Sequence, residues 1–160
     1  MKKRGFTLVE IMIVVAIIAL LAAIAIPNLL RARLQANESA AQAALKTIAT
    51  AEVTYRTANS SYADLTGLGS ATPPYIDSVL GCTGGTCNKN GYEFIAANGA
   101  DNESFVASAA PVTKDVTGVR CFCITEDGVV RVNTTTCAAQ LHPDRTACIS
   151  TGGAWGPASP

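Results

Sequence analysis

The sequence predicts an α+β chain: a long N-terminal α-helix packed on a four-stranded antiparallel sheet, with a disulfide-tethered C-terminal tail. Three observations predict it. Ile11 to Leu30 carries no charged residue. Arg31 to Ala58 is alanine-rich and holds neither glycine nor proline, so helix propensity stays high throughout. Short apolar runs separated by turn pairs fill residues 92–133, the pattern of strands joined by hairpins.

The elements follow in order. Residues 1–5, MKKRG, form a basic leader. Residues 6–30 form a hydrophobic rod long enough to span a bilayer. Three of the 12 basic residues, Lys2, Lys3 and Arg4, precede the rod and read as its cytoplasmic flank. The rest of the chain then lies outside, although Arg31 and Arg33 weaken that orientation signal. The apolar run is too long for an ordinary secretory signal peptide, and no small-residue cleavage site follows it. Composition alone therefore reads as an uncleaved anchor.

Two residues make the rod unusual. Glu10 stands at its start, and an ionisable group at membrane depth is costly without a partner. Pro27 stands near its end, where it removes a backbone donor, so the helix is expected to kink or loosen over 23–27. Ala22, Ala23 and Ala25 allow close helix approach. A plain lipid anchor needs neither the acid nor the small face, so the rod is expected to pack against its own copies.

Residues 31–160 form a globular head. The amphipathic helix covers 31–57, with Ala41, Leu45, Ile48 and Tyr55 at helical spacing and Glu52 expected at the rim of that face. Residues 58–91 form a connecting loop rich in Gly, Pro, Ser and Asn, with one helical turn expected at Ile76 to Leu80. The sheet occupies 92–133. Its strands are Tyr92 to about Ala96, Phe105 to Ala109, Val119 to Thr125 and Val129 to Asn133, with Asp127-Gly128 the clearest hairpin marker. Residues 134–160 form a tail without period.

All six cysteines lie in the head: Cys82, Cys87, Cys121, Cys123, Cys137 and Cys148. An even number in an exported domain favours disulfides. Their spacing lacks the CxxC pairs of a zinc site, so no metal is expected. Cys121 and Cys123 are two apart on a strand and share a face, which disfavours a bond between them. The preferred pairing is Cys82 with Cys87, then Cys121 or Cys123 with the tail cysteines. Sequence alone leaves the connectivity open.

Little else carries chemistry. His142 is the only histidine and lies in a polar turn. Asp101-Asn102-Glu103 lacks the twelve-residue calcium loop, and Gly81, Gly84 and Gly85 precede no phosphate-loop lysine. Without the leader's three charges, 12 − 3 = 9 basic residues face 12 acidic ones, a net of −3. Nothing there forms a dense basic patch, so nucleic acid is not implied as a main partner. The chain is expected to be neither an enzyme nor a cofactor protein.

The segment KKRGFTLVEIMIVVAIIALLAAIAIPN resembles the N-terminus of type IV pilins and their pseudopilin relatives. Gly5, Phe6, Thr7, Leu8, Val9, Glu10, the apolar run and Pro27 carry the likeness. The helix, variable loop, four-stranded sheet and cysteine-bearing tail resemble the family more weakly. The resemblance implies cleavage between Gly5 and Phe6 by a prepilin peptidase, N-methylation of Phe6, and assembly through Phe6, Glu10 and Pro27. It implies a single-pass stage in the inner membrane with a periplasmic head. An assembly platform and ATPase then move the chain from lipid into a helical homo-oligomeric filament outside the cell. In that filament the Phe6 amine pairs with the Glu10 of another copy. The implied function is that of a major structural subunit of a bacterial type IV pilus. The alternative is a pseudopilin of a type II secretion system or a minor pilin; the missing calcium loop weakens the pseudopilin reading.

Overall fold

The computed structural model describes residues 6–99, 102–134, 145–149 and 155–158. These form two compact units that divide between Arg33 and Leu34, and one helix, α1 (Leu8–Asn59), runs through both.

In the first unit every large apolar side chain from Phe6 to Leu30 is exposed, from 51% at Val14 to 84% at Phe6. Burying such a side chain is worth about 1.5–3 kcal/mol, so this surface is incomplete without lipid or protein. Helix α1 continues through Pro27, so the local loosening expected over 23–27 does not interrupt it. Pro27 cannot donate to the Ala23 carbonyl. One residue on, the Asn28 side-chain amide donates to the Ile24 carbonyl at 3.0 Å, an extra bond beside the missing one.

In the second unit α1 turns one face inward. Ala41, Ala44, Leu45, Ile48 and Ala49 are buried at the i, i+3, i+4 spacing of a helical stripe. On the solvent side Thr47, Thr50, Thr54 and Thr57 each donate to the carbonyl four residues back. The helix ends where Ser60 adopts φ 57° and its amide donates to the Arg56 carbonyl at 2.8 Å, a left-handed cap.

Among the described residues the sheet has six strands, a correction to the four expected. In sequence they are β1 (Cys87–Lys89), β2 (Tyr92–Asn98), β3 (Phe105–Pro111), β4 (Cys121–Thr125), β5 (Arg131–Asn133) and β6 (Gly156–Pro157). They pair in sequence order, every pair antiparallel. The four central strands match the expectation. The two extra ones are the edges, one from the connecting loop and one from the tail. Three and two residues are too short to show alternation, and Pro157 is tolerated because an edge strand need not donate on both sides.

The connecting loop contains more than the expected single turn. A short helix, α2 (Leu65–Ser70), is capped by Asp64, whose Oδ1 accepts from the Gly67 amide at 2.7 Å. The turn at 77–81 is present, with the Gly81 amide donating to the Asp77 carbonyl at 2.8 Å. It crosses α2 so closely that a Cβ on Gly69 would lie 2.5 Å from the Gly81 Cα. Glycine is required there by backbone contact.

Alternation places Tyr92, Phe94, Phe105, Ala107, Ala109, Phe122 and Ile124 in one core with Leu45 and Ile48. Ala109 stands between Phe94 and Phe122 in the strand register, so a small residue separates two rings. The opposite face is also covered. Cys123 and Val106 pack with Cys148 of a short helix, α3 (Arg145–Ile149), and with Trp155. Cys121 and Ala110 meet the same Trp155. That double cover explains why all five β4 residues are buried.

Candidate functional site

The start of α1 is built by a local exchange of hydrogen bonds. The Thr7 amide and hydroxyl donate to Glu10 Oε2 at 2.9 and 2.8 Å, and the Glu10 amide donates to Thr7 Oγ1 at 3.3 Å. This is a capping box, with threonine at the N-cap and glutamate three residues on. Sequence reasoning isolated Glu10 but not its partner, although T-x-x-E before an apolar run is a legible signal. Both bonds to the carboxylate fall on Oε2. Among the described residues Oε1 has no partner, so one oxygen remains for a positive group from elsewhere.

Phe6, beside this cap, is the most exposed apolar residue of the unit. Gly5 lies outside the described residues. Pro27 lies within α1, seventeen residues of chain from Glu10, and Phe6 precedes the helix by two residues, so the three expected assembly residues form no cluster.

In the head two acids occupy the buried stripe of α1. Glu38 is 5% exposed. Its Oε1 accepts from the Val119 and Arg120 amides at 2.9 and 3.1 Å, and its Oε2 accepts from Arg120 Nε at 2.8 Å. Asn37 beside it donates to the Thr117 carbonyl at 2.9 Å. Together they fasten the segment 117–120 to the helix. Glu38, Ala41, Leu45, Ile48 and Glu52 recur at spacings of three and four, so the stripe could have exposed both acids as inward-facing.

Glu52 corrects the expectation of a rim position, being 0% exposed. Its Oε2 accepts from the Ala63 amide at 3.1 Å, while Oε1 is buried without a hydrogen bond. Burial, more than the nearby Asp64, pushes its pKa up from 4.5 to about 7 against the opposing Ala63 bond. Between those values the folded head keeps a proton that the unfolded chain has released. The resulting stabilisation is complete below about pH 4.5 and is lost as pH rises through about 7. Thermal unfolding of the full chain in detergent at pH 5 and pH 8 should show a loss on the order of 3 kcal/mol. Glu52→Gln, which keeps an acceptor for Ala63, should lose less than half as much; an equal slope in the variant removes Glu52 as the cause.

Two disulfides match the expected pairing. Cys82 bonds Cys87 with Cα atoms 5.7 Å apart, closing a small loop ahead of β1. Cys123 bonds Cys148 with Cα atoms 6.2 Å apart, tethering α3 to β4. Cys121 is also disulfide-bonded, while Cys137 and His142 lie outside the described residues. Arg145 of α3 adds an ion pair to Glu126 in the β4–β5 turn. Among the described residues no group of three His, Cys, Asp or Glu side chains is placed to hold a metal.

Residues 1–26 match the family described as the prokaryotic N-terminal methylation motif. The chain is 35% identical over 120 residues to the type IV major pilin protein PilA of Myxococcus xanthus, covering 75% of this chain and 48% of that protein. It thus spans about half the length of that relative. It is 38% identical over 111 residues to the type IV wide pilus major component PilA4 of Thermus thermophilus, covering 66% of this chain and 81% of that protein. Both names describe major pilus components. The leader motif, the exposed apolar helix and a relative matched over most of its length converge: this chain belongs to the type IV pilin family.

Proposed function

We propose that the chain is a major structural subunit of a type IV pilus. The observation that carries this reading is the first unit's surface. Sixteen large apolar side chains between Phe6 and Leu30 are all exposed, while the head closes a core of its own. A bilayer covers such a rod first, and sister rods cover it afterwards with little loss of apolar contact. The names of both relatives support the major-subunit reading over the pseudopilin one.

In this reading 1–5 is a leader, 6–30 the span and filament core, and 31–160 the head. A prepilin peptidase cuts between Gly5 and Phe6 and methylates the new Phe6 amine, which stays basic. The head waits in the periplasm until an inner-membrane platform and its ATPase extract the chain into an extracellular filament. Glu10, whose Oε1 is left open by the capping box, accepts the Phe6 amine of a neighbour. Pro27, which removes one bond from the helix ladder, gives the core a place to yield.

Mass spectrometry of sheared surface filaments tests it. The expected result is this chain as the dominant protein, beginning at Phe6 with one added methyl. Filaments made of another protein, with this chain retained in the membrane and residues 1–5 attached, overturn it.

A further inference from the structure

We propose that the loop 112–119 is a lipid-facing foot on which the head rests at the membrane surface before assembly. The inference rests on the membrane stage proposed above and adds a surface that the span itself does not supply. Among the described residues the head exposes six large apolar side chains: Val53, Val79, Val112, Val116, Val119 and Val129. Three of the six fall within this one loop of eight residues, and Val116, at 67%, is the most exposed of all.

The loop is held, so its valines stay outward without an ordering cost on contact. The Thr117 amide donates to the Thr113 carbonyl at 2.9 Å, and the Asp115 amide donates to the Gly118 carbonyl at 2.9 Å. The Val112 amide donates to the Gly91 carbonyl at 3.0 Å. Asn37 fixes Thr117, and Glu38 fixes Val119 and Arg120. A floppy loop would fold its valines back; this one cannot do so without breaking these bonds.

Those fastenings choose the occupant. Asn37 follows Leu30, the end of the uncharged run, by seven residues of chain. Even fully extended, seven residues reach no more than about 25 Å. The headgroup layer adds roughly 5–8 Å on each side of the hydrocarbon. A loop fastened to Asn37 and Glu38 is therefore tethered within roughly 20 Å of the headgroups whenever Leu30 is inside the hydrocarbon, and Glu38 is the first buried position of α1 after the span. Lys114 is exposed in the same loop, and Arg31 and Arg33 are exposed on the intervening chain. Three cations suit lipid phosphates, with Asp115 the one opposing charge in the loop. Three exposed valines with an exposed lysine in the same loop fit the boundary between headgroups and acyl chains.

The test uses the full chain in nanodiscs of phosphatidylcholine and phosphatidylglycerol containing a doxyl-labelled lipid, read by methyl NMR. Val112, Val116 and Val119 should lose their signals, whereas Val53, Val79 and Val129 should keep them. Methyls from Ile11 to Leu30 serve as the separate check on the span: if they keep their signals, the membrane stage itself fails. If they lose their signals while Val116 behaves like Val129, the foot is overturned and the membrane stage stands. Loop methyls that are shielded only in assembled filaments assign the surface to a second copy and equally overturn the foot. Val116→Asp, at an exposed position that folding does not need, should restore the signals of Val112 and Val119; their continued loss counts against the proposal.

Discussion

Glu10→Ala is expected to leave cells without filaments while the head remains folded and disulfide-bonded. The carboxylate has two jobs in the proposed reading, and the substitution removes both. In the isolated chain it completes the capping box with Thr7, a contribution of about 1 kcal/mol. In the filament it neutralises a neighbour's Phe6 amine among apolar helices, where breaking a buried pair costs about 3–5 kcal/mol. Glu10→Gln separates the two, because glutamine also serves a capping box but brings no charge. Electron microscopy of the sheared fraction should show filaments from neither variant. Filaments from Gln but not Ala would reduce Glu10 to a helix cap, and normal filaments from Ala would remove it from assembly altogether. The second unit holds its own core, so unfolding of the head in either variant is not expected and can be followed independently.

Gly118→Ala is expected to destabilise the head by about 3 kcal/mol, at the upper end of what overpacking a well-filled core costs. A Cβ there would overlap the Tyr92 hydroxyl and lie 2.5 Å from its Cζ. Tyr92 cannot step aside. It is 0% exposed, its ring packs on Phe122 with centroids 6.0 Å apart, and its hydroxyl donates to the Arg120 carbonyl at 2.9 Å. The added methyl therefore pushes on the same segment that Glu38 fastens to α1. Thermal unfolding of the full chain in detergent should fall by about 10 °C, given roughly 3–4 °C per kcal/mol for a domain of this size. Tyr92→Phe in the Gly118→Ala background removes the overlapping oxygen and should recover part of the loss. A Gly118→Ala chain that melts like the parent would show that the close approach is relieved at no cost.

Much of this fold could be read directly from the chain. The uncharged run, the glycine-free stretch after it and the Asp127-Gly128 turn each express a local preference, and each leads to the element expected. The Gly128 amide donates to the Thr125 carbonyl at 2.9 Å, with Gly128 at φ 71°, a conformation that glycine adopts freely. The edge strands were not legible because β1 and β6 owe their shape to the neighbour they pair with. Helix α2 is only six residues long, too short to declare itself by period, and depends on the Asp64 cap and on burial of Leu65 and Leu68. Glu52 was misplaced at the rim because an acid is ordinarily assigned to solvent; the stripe it continues was the better guide.

Local pattern in the chain was enough for its class, the apolar rod and the acid at the rod's head. These follow from composition and from spacing along one helix or one strand, where neighbours in sequence are neighbours in space. Only the tertiary structure decided that Cys123 reaches Cys148, that Glu38 grips residues 119–120, that Glu52 is enclosed, and that the 112–119 loop is held with its valines outward. Each of these joins residues far apart in the chain, and such a contact is fixed by how several elements fill one volume together, which no local pattern records.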